Sequence, residues 1–286
     1  MHRFTGAKAL FPVLLIHGSI EDARIFYSRS GKGLAYYLAA EGFDVFAPDM
    51  VGKGQSEPPI SRKLKHSQHD TIHTEIGAYA DHVRAIHPHT PLRLGAHSWG
   101  GVLLLAWMAH YGSLYALGPA VFFGSKRRIS VLSARRLFMV DVMWTAVGSA
   151  GAALLGYLPA KALRMGSQNE PAAMYFEVNR WVYSRSWHEP RTGVDVRLAL
   201  RQMELPPVLF FAGIQDHVLG HPTDVEKLMH EAGGYQHEFV LLAKHTGHLR
   251  DYGHIDMLTA PECTQDHFPM ALRWLRDGSI ARPPAE

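Results

Sequence analysis

The stretch Leu94-Gly95-Ala96-His97-Ser98-Trp99-Gly100-Gly101 carries the strongest candidate nucleophile of the chain. An apolar run with Leu92 and Leu94 leads into it, and a longer one, Val102 to Met108, leaves it. The pattern predicts strand, sharp turn and helix, with the Ser98 hydroxyl raised at the corner. Ala96, Gly100 and Gly101 are small enough for so tight a backbone, although Ala96 is one methyl larger than the glycine usual at its position. A helix starting at Trp99 would set backbone N–H groups beside the serine oxygen, where they could hold a developing oxyanion. The plainer alternative is a serine that merely caps a helix in a glycine-rich loop.

A serine hydroxyl needs a base beside it and an acid to orient that base. Phe210 to Asp216 reads as a strand running through a turn onto a carboxylate, which makes Asp216 the candidate acid. It could instead only brace the turn before Pro222. Asp224 and Glu226 look like ordinary first-turn acids of the next helix. Three histidines compete for the base: His245, His248 and His254. His254 precedes the last amphipathic segment, where a loop can carry an imidazole over the sheet, and is preferred; His248 is the alternative. The oxyanion donors would be the backbone N–H groups of Trp99 and of Ser19, which follows the first apolar run. His245, His248, Asp251 and His254 invite a metal reading, but without thiolates or an HExxH pattern they are weak evidence for one. His66, His69 and His73 read as surface residues of a polar loop, so no metal is expected.

These groups need a scaffold. The almost purely apolar runs at 12–16, 44–48, 92–94, 117–123, 207–212 and 239–242 read as strands buried on both faces. Helical spacing appears at 31–42, 72–86, 99–108, 223–232 and 263–275. Alternation of the two predicts an α/β fold with a mostly parallel central sheet flanked by helices. Ser98, His17 and Asp216 fall at the C-terminal ends of strands, where sites of such folds lie. The segment 126–204 breaks the alternation and reads as an inserted helical cap, dividing the core into 1–125 and 205–286. The cap opens on Lys126, Arg127, Arg128, Arg135 and Arg136, expected on its outer face. It continues through 19 uncharged residues, Val142 to Ala160, whose apolar side is expected to face the substrate space. That run is barely long enough for a bilayer and is diluted by Gly148, Gly151 and Gly156, so a helix of the cap is expected instead; a transient lean on a lipid surface is the secondary reading.

With 286 residues and 47% hydrophobic content the chain can bury a sizeable core. A net charge of +3, spread along the chain, gives no reason to expect a nucleic-acid partner. One cysteine, Cys263, permits no internal disulfide and fits a cytoplasmic setting. His2, Arg3 and Lys8 before Leu10–Ile16 imitate a short signal peptide. The run ends in His17-Gly18 with no small-residue cleavage site, so it is expected to be the first core strand.

The combination His17-Gly18-x-x-Glu21 with Phe26, Asp49-x-x-Gly52-x-Gly54-x-Ser56 and His97-Ser98-x-Gly100-Gly101 resembles the monoacylglycerol lipase-like, serine aminopeptidase-type branch of the α/β-hydrolase superfamily. Gly213-x-x-Asp216 and Gly253-His254 occupy the places of that family's acid and base. The resemblance covers about 10–125 and 205–276. It implies an α/β-hydrolase fold and hydrolysis of a small-molecule acyl ester through an acyl-enzyme, with Ser98, His254 and Asp216 as triad and no cofactor. A thioester, a lactone or an N-terminal peptide bond would suit the same triad, as would a non-catalytic binding protein on this fold. An aminopeptidase would need acids in the cap to hold an amine; Asp141, Glu170, Glu177, Glu189 and Asp195 are available.

Overall fold

The computed structural model describes residues 1–6, 9–233 and 236–280. Lys8 lies outside them. Seven strands form the main sheet: β1 (His2–Thr5), β2 (Phe11–Ile16), β3 (Phe43–Ala47), β4 (Leu92–His97), β5 (Leu117–Phe123), β8 (Val208–Gly213) and β9 (Glu238–Leu242). A small second sheet pairs β6 (Tyr157–Leu158) with β7 (Glu170–Pro171). The main order is β1-β3-β2-β4-β5-β8-β9, parallel throughout except for β1, which runs antiparallel along β3. The expected first strand is therefore the second. His2–Thr5 adds an edge strand, pinned where Arg3 donates to the buried Asp44 carboxylate at 2.9 and 2.6 Å.

Among the described residues the helices of six residues or more are α1 (Leu34–Ala40), α2 (residues 68–86), α3 (Trp99–Tyr111), α4 (Ala134–Leu155), α5 (Ala172–Tyr183), α6 (Val196–Arg201), α7 (Pro222–Ala232) and α8 (Phe268–Asp277). The strands read as continuous apolar runs because both faces are covered. Leu14 and Ile16 join the cluster beneath α2 and α3, while Val13 and Leu15 join the cluster beneath α1 and α8. Every residue of α3 from Trp99 to Met108 is buried, so its apolar character runs all round the helix. The periodic segment expected at 263–275 begins as a short tight turn, Pro261–Thr264, and becomes helix only at Phe268.

Parallel strands point their C-terminal ends the same way. Ile16 pairs with Ala96, His97 with Phe123, and Phe123 with Phe211, so the loops after β2, β4, β5 and β8 open on one edge. The chain between β5 and β8 adds no strand to the main sheet. It corrects two expectations. Lys126 and Arg127 are buried, not on an outer face. Arg127 donates to both Glu231 carboxylate oxygens (2.7 and 2.6 Å) and to the carbonyls of Trp181 and Ser184, tying this segment to α7. Second, the apolar side of α4 does not turn inward as a whole. Val140, Gly148 and Ala152 are buried, but Leu137, Phe138, Val142, Val147, Leu154 and Leu155 stand open. α4 has the length and composition to cross a membrane, and only 17% of its most apolar stretch is buried.

Candidate active site

Ser98 sits between β4 and α3 with φ 51° and ψ −122°, a conformation that costs a non-glycine residue energy and is held by its surroundings. The Ser98 N–H donates to the Phe123 carbonyl at 2.8 Å, fixing the corner to the neighbouring strand. Gly100 is required by close approach: a Cβ there would lie 2.3 Å from the Ile16 carbonyl oxygen. The start of α3 thus rests on the end of β2. From the other side the loop after β2 comes equally near, since a Cβ on Gly18 would lie 2.8 Å from the Ser98 Cβ.

His254, carried on the loop beyond β9, points its Nε2 at Ser98 Oγ, 3.0 Å away. Its Nδ1–H donates to Asp216 Oδ2 at 2.5 Å. Three side chains from three loops thus form one hydrogen-bonded chain. His248 lies elsewhere, donating from Nδ1 to Asp266 Oδ1 at 2.7 Å. Burial opposes ionisation of Asp216, but the facing His254, the Gly220 backbone N–H and the Lys126 ammonium together outweigh it and hold the carboxyl down to about 2. For His254, burial outweighs the upward pull of Asp216, with His97 and Lys126 adding to the downward shift. The imidazole is therefore held neutral to lower pH than a free histidine.

Of the two sequence-selected amides, that of Trp99 directly follows Ser98 and that of Ser19 belongs to the loop after β2 that packs against Ser98 at Gly18. Trp99 is the first residue of α3, so its N–H has no acceptor within the helix. The N–H groups either side of Ser19 are taken, Gly18 by Glu21 Oε1 and Ile20 by Glu170 Oε2 at 2.8 Å, which fixes the loop that presents Ser19. Among the described residues the buried Ser19 hydroxyl has no hydrogen-bond partner.

Three neighbours were not singled out in the sequence as acting on the serine. Lys126 Nζ donates to Ser98 Oγ at 3.5 Å and makes no ion pair among the described residues. Burial holds its ammonium below the usual lysine range. No motif flags it; only its place directly after β5 could have done so. The fully buried His97 donates from Nδ1 to Glu21 Oε1 (2.7 Å) and from Nε2 to the His254 carbonyl (2.9 Å). Burial works against its charge, but Glu21 prevails and raises its pKa. The pair thus clamps the backbone of His254. Asp49 accepts from Ala23 N and Gln55 N (both 2.9 Å), so the Asp49-x-x-Gly52-x-Gly54 motif cross-braces loops and does not face the serine.

A doubly covered parallel sheet with this serine turn defines an α/β-hydrolase fold. The family model for serine aminopeptidases, S33, matches residues 8–155, and the chain belongs to that hydrolase family. No curated protein matches the sequence. Among solved structures the chain is similar to a monoacylglycerol lipase of Paleococcus ferrophilus, at 16% identity over 97% of this chain and 98% of that one, with a TM-score of 0.59. It is similar to a thermophilic esterase from Thermogutta terrifontis, at 19% identity over 96% and 92%, TM-score 0.58. A bromoperoxidase from Bacillus anthracis aligns at 16% identity over 96% and 94%, TM-score 0.61. Likeness at this level establishes the fold, and the differing chemistries of these neighbours leave the reaction to be argued from the site.

Proposed function

We propose that the protein is a serine hydrolase that cleaves carboxylic esters with an apolar acyl chain through an acyl-enzyme. The observation that carries the reading is the unbroken chain Asp216–His254–Ser98, ending on a serine in a strained turn. His254 takes the Ser98 proton as Oγ attacks the ester carbonyl carbon. The Ser19 and Trp99 N–H groups hold the oxyanion. The tetrahedral intermediate collapses, the C–O bond to the alcohol breaks, and His254 returns the proton to the departing alkoxide. A water then attacks the acyl-enzyme with His254 again as base, releasing the acid and restoring the Ser98 hydroxyl. Asp216 fixes the tautomer and offsets the imidazolium charge. His97 and Glu21 position His254 from behind.

The acids that an N-terminal peptide substrate would need are already engaged. Glu170 pairs with Lys53 at 2.7 Å, Glu177 with Arg191 at 2.8 Å, Asp141 with Arg136 at 2.9 Å and Asp195 with His188 at 3.5 Å, while Glu189 is ringed by histidines. This favours the ester over the aminopeptidase reading. In our reading 126–204 acts as the cap, and the open apolar side of α4 leans on a lipid surface from which the substrate comes. The buried lone Cys263 fits the cytoplasm as the compartment. A series of p-nitrophenyl esters from acetate to palmitate tests the activity. Turnover that rises with acyl length and vanishes in Ser98→Ala is expected. Equal turnover by wild type and Ser98→Ala would overturn the reading; reaction with acetate alone would remove the apolar acyl chain from it.

A further inference from the structure

Away from Ser98, four side chains from three distant stretches meet in one place. His69 and His73 sit one turn apart on α2, His110 near the end of α3, and Glu189 in the connection between α5 and α6. The helix passes through a wide i→i+5 turn at Thr71–Glu75, a distortion often found at functional sites. His73 Nε2 lies 2.8 and 2.9 Å from the two Glu189 carboxylate oxygens. His69 Nδ1 contacts Glu189 Oε1, and His110 Nε2 stands 2.8 Å from Oε2. The rings crowd together, with centroids 4.2 Å apart for His69–His73 and 4.6 Å for His73–His110.

Hydrogen bonding leaves one atom of this cluster, His110 Nε2, without a partner among the described residues. The Glu189 carboxylate is buried and also accepts from the Thr192 hydroxyl at 3.0 Å. His110 Nε2 is buried, comes within bonding distance of the carboxylate, and still lacks the alignment of a hydrogen bond. A buried polar atom in that position loses its hydration without regaining a partner. His73 is held from outside as well: its Nδ1 lies 2.6 Å from the Tyr111 hydroxyl, which aims Nε2 inward. A histidine with one ring nitrogen directed into a donor cluster and the other held by an outer partner is the usual disposition of a metal ligand. The inward donors of His69, His73 and Glu189 lie within 4.8 Å of one another.

The geometry points to a binding site for a zinc-class divalent cation formed by His69, His73, His110 and Glu189. Three imidazole nitrogens and one carboxylate oxygen suit zinc, whereas calcium and magnesium favour oxygen ligands. His110 Nε2, 2.8 Å from Glu189 Oε2 but outside the close set of His69, His73 and Glu189, must turn inward to close a four-ligand shell of the structural kind. Binding requires neutral imidazoles and displaces any proton shared between a ring and the carboxylate. The ion would fasten the segment between β5 and β8 to α2 and α3. Gln68, next to His69, accepts from the Trp99 indole Nε1 at 2.8 Å, so the fastening also braces the start of α3 beside Ser98. The burial corrects the reading of His66, His69 and His73 as surface residues: their side chains are 15%, 24% and 14% exposed, His66 facing Glu75 and the other two Glu189, which lies far along the sequence and carries no motif.

The test uses the full chain, stripped with a chelator and titrated with Zn²⁺ by calorimetry, then with Co²⁺ in the visible range. One equivalent of Zn²⁺ should bind, the melting temperature should rise with it, and Co²⁺ should give the intense d–d bands of a four-coordinate site. His73→Ala should abolish the stoichiometric binding. Tyr111→Phe keeps all four ligands and should weaken it about 10- to 100-fold, as loss of an outer partner does, which answers the question even if His73→Ala does not fold. His245→Ala, a histidine outside the cluster, should bind as wild type does. Absence of stoichiometric binding by wild type, or binding undiminished in both His73→Ala and Tyr111→Phe, would overturn the proposal. The readouts do not involve ester turnover, so they stand apart from the hydrolase reading.

Discussion

At the scale of single residues, the charge balance around His254 sets when the proposed site can work. A base must be neutral, and burial together with the nearby Lys126 and His97 cations disfavours the imidazolium, while Asp216 favours it. Lys126→Met removes one of the cations. The His254 pKa then rises, and the acid limb of the kcat/KM profile should move to higher pH by on the order of one unit. An acid limb that stays in place or moves to lower pH would show that Lys126 does not act on this histidine. The same residue shows where sequence reading stops. Ser98 and Asp216 closely follow strand ends and His254 follows a glycine in the loop before the last helix, and these contexts were legible. Lys126 looked like one member of a solvated basic run, because nothing in its neighbours' types indicates burial.

Among the elements, α4 is the one whose surface least resembles its expected role. Gly148 and Ala152 give it a narrow inward stripe against Leu158 and Tyr175, and the larger apolar side chains look outward. Leaving Phe138 and Leu154 at 61% and 72% exposure costs solvation that a lipid surface would recover. Vesicles of mixed neutral and anionic lipid should therefore co-sediment wild type, and Phe138→Ser or Leu154→Ser should each weaken partitioning roughly tenfold, with hydrolysis of a soluble short ester unchanged. Failure of wild type to co-sediment would remove the lipid surface from the account. The strands were the easiest elements to read, since a run apolar on both faces has few alternatives. The sheet's edge strand was hidden because three of the four residues His2-Arg3-Phe4-Thr5 are polar, as suits an exposed edge. The helix over 72–86 was visible by its spacing, but its beginning at Gln68 was not: the Ser67–Asp70 capping box lay inside what read as a polar loop.

For the whole molecule, strand alternation was enough to give the α/β class, and the motifs after β2, β3 and β4 were enough for the family. The contacts that join 126–204 to the rest were not readable. Lys53 with Glu170, Arg127 with Glu231, and Glu189 with three histidines each pair residues that are far apart in the chain and ordinary in type. Such ties depend on a fold being already in place, so local pattern carries no trace of them. The proposed hydrolysis nevertheless turns on one atom, Ser98 Oγ, being made nucleophilic by its surroundings. The most direct measurement is reaction with a fluorophosphonate, followed by intact mass and peptide mapping of the adduct. One phosphonyl group per chain is expected, bound at Ser98, absent in Ser98→Ala and strongly slowed in His254→Gln. An unlabelled wild type, or an adduct at another residue, would contradict it.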